Sequence, residues 1–209
     1  MTFSAKKRRR AQLAGWVENA LIQRKNKSHS CLNNSGKLSQ NETAEKFYSA
    51  VETRKLITTG KINAVENLIR LAKRCRRYGR NDSVNAITEE FYEEEYKVAL
   101  GLDPTKEGLK SDNNNDKKPL YGVPISVKDC IKMKNALETG GLACRTHESL
   151  RAKDDSVLVH ILRVYSGALP IVRGNVGQIM MLPESENFVW GRTCNPWDLN
   201  RTPGRFVIV

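Results

Sequence analysis

Apolar positions recur at helical spacing through the first hundred residues and at strand-like density after Pro119. Leu13, Trp16, Val17, Ala20 and Leu21 mark a helix over 5–26 with charged ends. Asparagine and serine crowd 26–41, which reads as a flexible linker. A second helix is expected over 43–58, with Phe47, Val51 and Ile57 on one side. A third opens at Asn63, a good N-cap, and buries Val65, Leu68, Ile69, Ala72 and Cys75 before Gly79. The spacing predicts a fourth over about 85–100, with Ile87, Phe91 and Val98 opposite a Glu-rich face and Gly101 at its end. A polar connector follows over 101–118.

The period then changes. "YGVPISVKD" is a β-branched run, "DDSVLVHILRVYSG" a helix with an acidic start, "ALPIV" a short apolar strand and "NVGQIMML" the start of another helix. Strand, helix, strand, helix predicts an α/β unit with parallel strands. There is no internal repeat.

Composition narrows the class. At 209 residues with 39% apolar content the chain is long enough for a real core and reads as soluble. No run approaches the roughly 18 apolar residues of a membrane span, and no apolar stretch follows the basic start, so no secretory signal is expected. Five cysteines at 31, 75, 130, 144 and 194 are odd in number and widely spaced, without a C-x-x-C pair. Free thiols in the cytoplasm are the reading, with no zinc site expected. Residues 1–28 hold eight basic side chains against Glu18, and so carry most of the +12 net charge. That arm suits phosphate binding, a nuclear address, an anionic membrane surface or a solvated, fraying end. A nucleic-acid partner is not expected, because no aromatic-interleaved basic surface follows.

Lys128 is the most informative single residue. It ends a run expected to be buried on both faces, where loss of hydration would make a neutral amine available as a base. The alternative is a strand-end lysine reaching solvent beside Asp129. Context favours the base. "KKPLYGVPISVKDCI", "KDDSVLVHILRVYSGALPIVRGN" and "GQIMMLPESENFVWGRTCNPWDLNRTPG" occur in this order, and together they resemble the amidase-signature family of serine amidases. The likeness runs from about Thr43 to Gly204 and is nearest to fatty-acid amide hydrolases and fungal acetamidases.

That resemblance implies an α/β fold, with N-terminal helices followed by the first part of a mixed, mostly parallel sheet flanked by helices. It implies three stretches: a basic arm and linker (1–42), the N-terminal part of an amidase-signature domain (43–204) and an aberrant tail (205–209). It also implies hydrolysis of a small amide with an apolar acyl group by a Ser–Ser–Lys triad, with Lys128 as base and no cofactor. Met180 and Met181 align with residues that line the acyl channel. In the family, "TPG" continues into a Gly-Ser-Ser-Gly-Gly loop and later a Gly-Gly-Ser loop that supplies nucleophile and oxyanion hole. Here Phe206 stands at the bridging serine's place, and the nucleophile lies beyond Val209. Gly174 and Gly177 replace a threonine and a proline common in relatives. The expectation is a truncated, inactive copy, by frame change or intron retention. The other class is a pseudoenzyme that binds partners or a membrane surface. Substrate and oligomeric state are not legible.

Overall fold

The computed structural model describes residues 3–27, 30–32, 47–80, 83–102, 118–181 and 183–204. Most of the expected linker and connector, together with Phe206 and Val209, lies outside them.

Helix α1 (Phe3–Asn26) matches the expected first helix. Helix α2 (Ala50–Thr58) starts later than the periodicity suggests. Its start is set by a capping box: Ser49 accepts from the Glu52 N–H, and the Glu52 side chain accepts from the Ser49 N–H at 2.8 Å. Ile57 is buried as expected, but Phe47 and Val51 are exposed. Helix α3 (Ala64–Tyr78) is capped by Asn63, whose Oδ1 accepts from the Val65 N–H at 2.8 Å.

The expected fourth helix is two elements. Residues Ile87–Glu90 form strand β1, and helix α4 (Tyr92–Leu100) begins only after Phe91. The period misled because Ile87 and Phe91 are both buried, yet Ile87–Glu90 pair antiparallel with strand β3 (Leu169–Gly174). Val98 is exposed, while the "polar" face hides Glu90 and Glu95. Both acids are paired: Arg80 grips Glu90 with two bonds of 2.8 and 2.7 Å, and Arg163 Nη2 lies 3.0 Å from Glu95.

Strand β2 (Pro124–Lys128) pairs in parallel with β3, giving a mixed sheet of order β1-β3-β2. The crossover runs through helix α5 (Val157–His160), capped by Ser156 and continued by a wider turn over Ile161–Tyr165. A small hairpin, β4 (Glu186–Asn187) and β5 (Gly191–Arg192), completes the described chain.

Three apolar clusters hold these elements. Ile57, Leu68, Ala72, Tyr92, Leu169 and Ile171 join α2, α3 and α4 to β3. Each such fully buried aliphatic side chain is worth about 1.5–3 kcal/mol relative to exposure. Val127, Phe91, Met133, Ala136 and Val159 fasten β2 to α5. Ala20, Leu137, Val189 and Trp190 fasten the second half of α1 to the body, and Trp16 meets the His147 ring edge-on at 4.9 Å. The helix set apart as an arm by its charge is thus docked along its C-terminal turns, while Lys6 to Arg10 stand exposed. No helix among the described residues is long and apolar enough to cross a membrane.

Candidate active site

Lys128 is the last residue of β2, level with Gly174 at the end of parallel β3. The carboxyl ends of parallel strands are where α/β folds bind ligands, because the loops leaving them are free of the sheet's own hydrogen bonding. Lys128 is half-buried rather than enclosed on both faces. Among the described residues β2 has a neighbour on one side, β3, and most of its positions are half-buried, with Val127 buried.

What fixes the lysine's backbone is a buried ion pair that the spacing did not reveal. Arg173 and Asp129 are both fully buried, with Arg173 Nη2 3.4 Å from Asp129 Oδ1. The same guanidinium donates to the carbonyls of Ile131 at 2.8 Å and Lys128 at 3.3 Å, and the Asp129 N–H donates to the Gly174 carbonyl at 3.0 Å. Thr139 donates its hydroxyl to Asp129 Oδ2. The Trp190 indole N–H donates to Thr139 Oγ1 at 3.0 Å, with Asp129 Oδ2 3.4 Å away. Burial pushes the Asp129 carboxyl up to about 6, against the opposing pull of Arg173 and the Thr139 hydroxyl. The arginine interrupting "LPIVRG" was the available signal, since a buried cation in an apolar strand needs a partner nearby.

Around this pair the loops leaving β2 and β3 interlock. Asn175, just after β3, donates to Thr193 Oγ1 at 2.9 Å and to the Gly191 carbonyl at 3.0 Å. Asn187 donates to Asn175 Oδ1 and to the Val176 carbonyl, both at 2.8 Å. Its own oxygen accepts from the N–H groups of Val189 and Trp190. Gly141, at φ +75°, lies so close to Asn187 that an added Cβ would sit 2.7 Å from the asparagine Cβ. Sequence periodicity cannot find such asparagines, because several of their partners belong to other loops.

Met180 and Met181 lie in this region but not on the helix expected from "NVGQIMML". Residues Gln178–Met180 form one tight turn, with Ile179 and Met180 at φ +54° and +58°. For a β-branched residue that is a strained conformation. The Ile179 N–H donates to the Gly140 carbonyl at 2.8 Å, which ties the turn to the Thr139–Gly141 loop. Both methionine side chains are exposed. No group of three His, Cys, Asp or Glu among the described residues could hold a metal ion.

The sequence profile of the amidase family matches residues 70–205, a span that contains Lys128 and every loop just described. An amidase of Gibberella moniliformis is 31% identical over 159 residues, 75% of this chain and 28% of its own length. Fatty-acid amide hydrolase 1 of Sus scrofa is 39% identical over 85 residues, 41% of this chain and 14% of its own. A solved fatty acid amide hydrolase overlays 75% of this chain and 26% of its own with a TM-score of 0.65 at 30% identity. The chain therefore spans less than a third of the length of these relatives. Matched over most of its length in both sequence and fold, the chain belongs to the amidase family.

Proposed function

We propose that these residues build the lysine-bearing part of an amide hydrolase site, with Lys128 as the base of a Ser–Ser–Lys relay. The observation that carries this is the position of Lys128, at the carboxyl end of a parallel strand whose last peptide is pinned by the buried Arg173–Asp129 pair. A base works only when its geometry is held within a hydrogen bond's reach of its target, and a fixed backbone beneath a half-buried lysine suits that task. The named relatives include fatty-acid amide hydrolases, which supports an amide with an apolar acyl group as substrate. Met180 and Met181, exposed on a loop beside the site, are then acyl-contacting side chains, where flexible thioethers adapt to a long tail.

The 209 residues contain no serine after Ser185. By themselves they lack both serines of the relay and the oxyanion hole, so we expect them to hydrolyse no amide. A fluorophosphonate probe should leave the purified chain unlabelled, and labelling would overturn this. The role of Lys128 is read in a chimera with residues 119–204 in place of the matching part of a fungal amidase. Activity there should fall by about 10²–10⁴-fold on Lys128→Ala, the usual contribution of general base catalysis. Full activity of the alanine chimera would reject the base.

A second reading rests on Lys6 to Arg10, all exposed on the first turns of α1. They support electrostatic attachment to an anionic membrane surface. Insertion is disfavoured, because Ala20, Val17 and Leu21 face the body.

A further inference from the structure

Between α1 and the start of the sheet lies a cavity of about 420 Å³, whose Trp190 wall reaches Asp129 at 3.4 Å but whose lining does not include Lys128. Its size falls in the range of small-molecule sites, and Phe91, Trp190, Leu137 and Ala20 give it apolar walls. The charged lining pairs off almost completely. Arg80 holds Glu90 by two bonds, Arg151 meets Glu89 at 2.6 Å, and Lys27 stands 3.8 Å from Glu94.

Arg24 is left over. It is 8% exposed and forms no ion pair among the described residues; its guanidinium lies 5.7 Å from the Trp190 ring centre, and Nη2 donates to Asn85 Oδ1 at 2.9 Å. Its Nη1 has no hydrogen-bond partner. Asn85 cannot balance the charge, because it is a neutral amide, held at φ +53° by bonds from its Nδ2 to the Trp190 and Arg192 carbonyls. Burial, with Arg80 nearby and against the opposing pull of Glu90, draws the Arg24 pKa down to about 10, so the group remains a cation at neutral pH. Glu90 attracts this charge from within the lining, but its carboxylate is bonded by Arg80; a buried cation that no carboxylate bonds directly is unfavourable, and a water molecule supplies a hydrogen bond but no charge.

We propose that this cavity binds a small organic monocarboxylate, with its carboxylate against Arg24 and its apolar body against Trp190 and Phe91. The surplus decides the ligand's charge. Four cations face three carboxylates in the lining, so one negative charge completes the set and a second would be repelled. The proposal does not rest on amide hydrolysis, and Lys128 does not line the cavity.

The test uses the full chain at constant ionic strength, with melting temperature and tryptophan fluorescence as readouts. The probes are benzoate, its neutral isostere benzamide, and inorganic phosphate. Benzoate should bind saturably and raise the melting temperature, with benzamide and phosphate at least about tenfold weaker, as loss of a charged hydrogen bond implies. Arg24→Gln should lose the benzoate response yet melt no lower than the wild type without ligand, since it removes an unpaired buried charge. Lys128→Ala should respond as the wild type does. Equal binding of benzoate and benzamide, or no saturable benzoate binding, overturns the proposal in wild-type protein alone. So does a benzoate response that survives Arg24→Gln or disappears in Lys128→Ala.

Discussion

Asp129 and Glu95 are acids that burial drives toward neutrality, Asp129 to about 6 and Glu95 to about 7, in each case against an arginine that pulls the other way. An acid whose folded pKa lies above its unfolded one binds protons more tightly in the folded state. Its contribution to stability is therefore complete below the unfolded value near 4 and is lost as pH rises through the folded value. The protein should accordingly become less stable between about pH 4 and pH 7, the opposite of ordinary acid denaturation. Glu95→Gln isolates one of the two groups, because Arg163 keeps Asp155 at 3.5 Å as a second partner. Denaturant titrations should show the stability of the wild type relative to this variant falling by on the order of 2 kcal/mol from pH 4.5 to pH 8. Parallel curves for the two proteins would show that Glu95 is not held neutral.

At the scale of elements, the site depends on loops more than on strands. Asn187 joins the hairpin to the end of β3 through two bonds, to Asn175 and Val176, and closes the hairpin's own turn through two more, from Val189 and Trp190. Asn187→Ala removes them and leaves buried partners unsatisfied, so chemical denaturation should report a loss of about 2–4 kcal/mol. A loss below about 0.5 kcal/mol, the size of an ordinary surface change, would mean that the hairpin is not anchored there. Helix α1 divides its work between two ends. The second half is core, and the first presents Lys6 to Arg10 at the helix end where cations are disfavoured by the macrodipole. Sedimentation with phosphatidylserine vesicles should be salt-sensitive and abolished when those five residues become glutamine; salt-independent binding would point to another surface. The α3 helix, its Asn63 cap and the two parallel strands were legible because each is written in local period and capping chemistry. The β1 strand was not, since Ile87 and Phe91 fit a helical period equally well and long-range pairing with β3 decides. The docking of α1 and the Arg173–Asp129 pair were hidden for the same reason: their partners are far away in sequence. Lys128 was singled out as a candidate through its neighbours' motif, not its own chemistry.

Across the whole molecule, the apolar surface is unevenly covered. Val159 of α5 is buried against β2, but Val157, Leu158, Ile161, Val164 and Tyr165 are exposed, with Val157 at 77% and Tyr165 at 66%. Steps of one, three and four residues place them along one side of the helical stretch. Phe188 and Trp197 add large exposed rings elsewhere. Contiguous apolar surface of this kind drives association, because each contact removes area from water at about 25 cal/mol per Å². The net charge of +12 opposes it at long range, but salt screens that repulsion to within about 8 Å at physiological strength. The 209-residue chain should therefore be monomeric only when dilute in low salt, and should associate as salt is raised. Light scattering coupled to size exclusion measures this directly. Replacing Val157 and Tyr165 together by lysine should restore the monomer in high salt without changing the helical content, since neither side chain is part of a buried cluster. A wild-type chain that stays monomeric in high salt and melts in one sharp transition would show that this face tolerates water, and that the three clusters suffice to hold the fold.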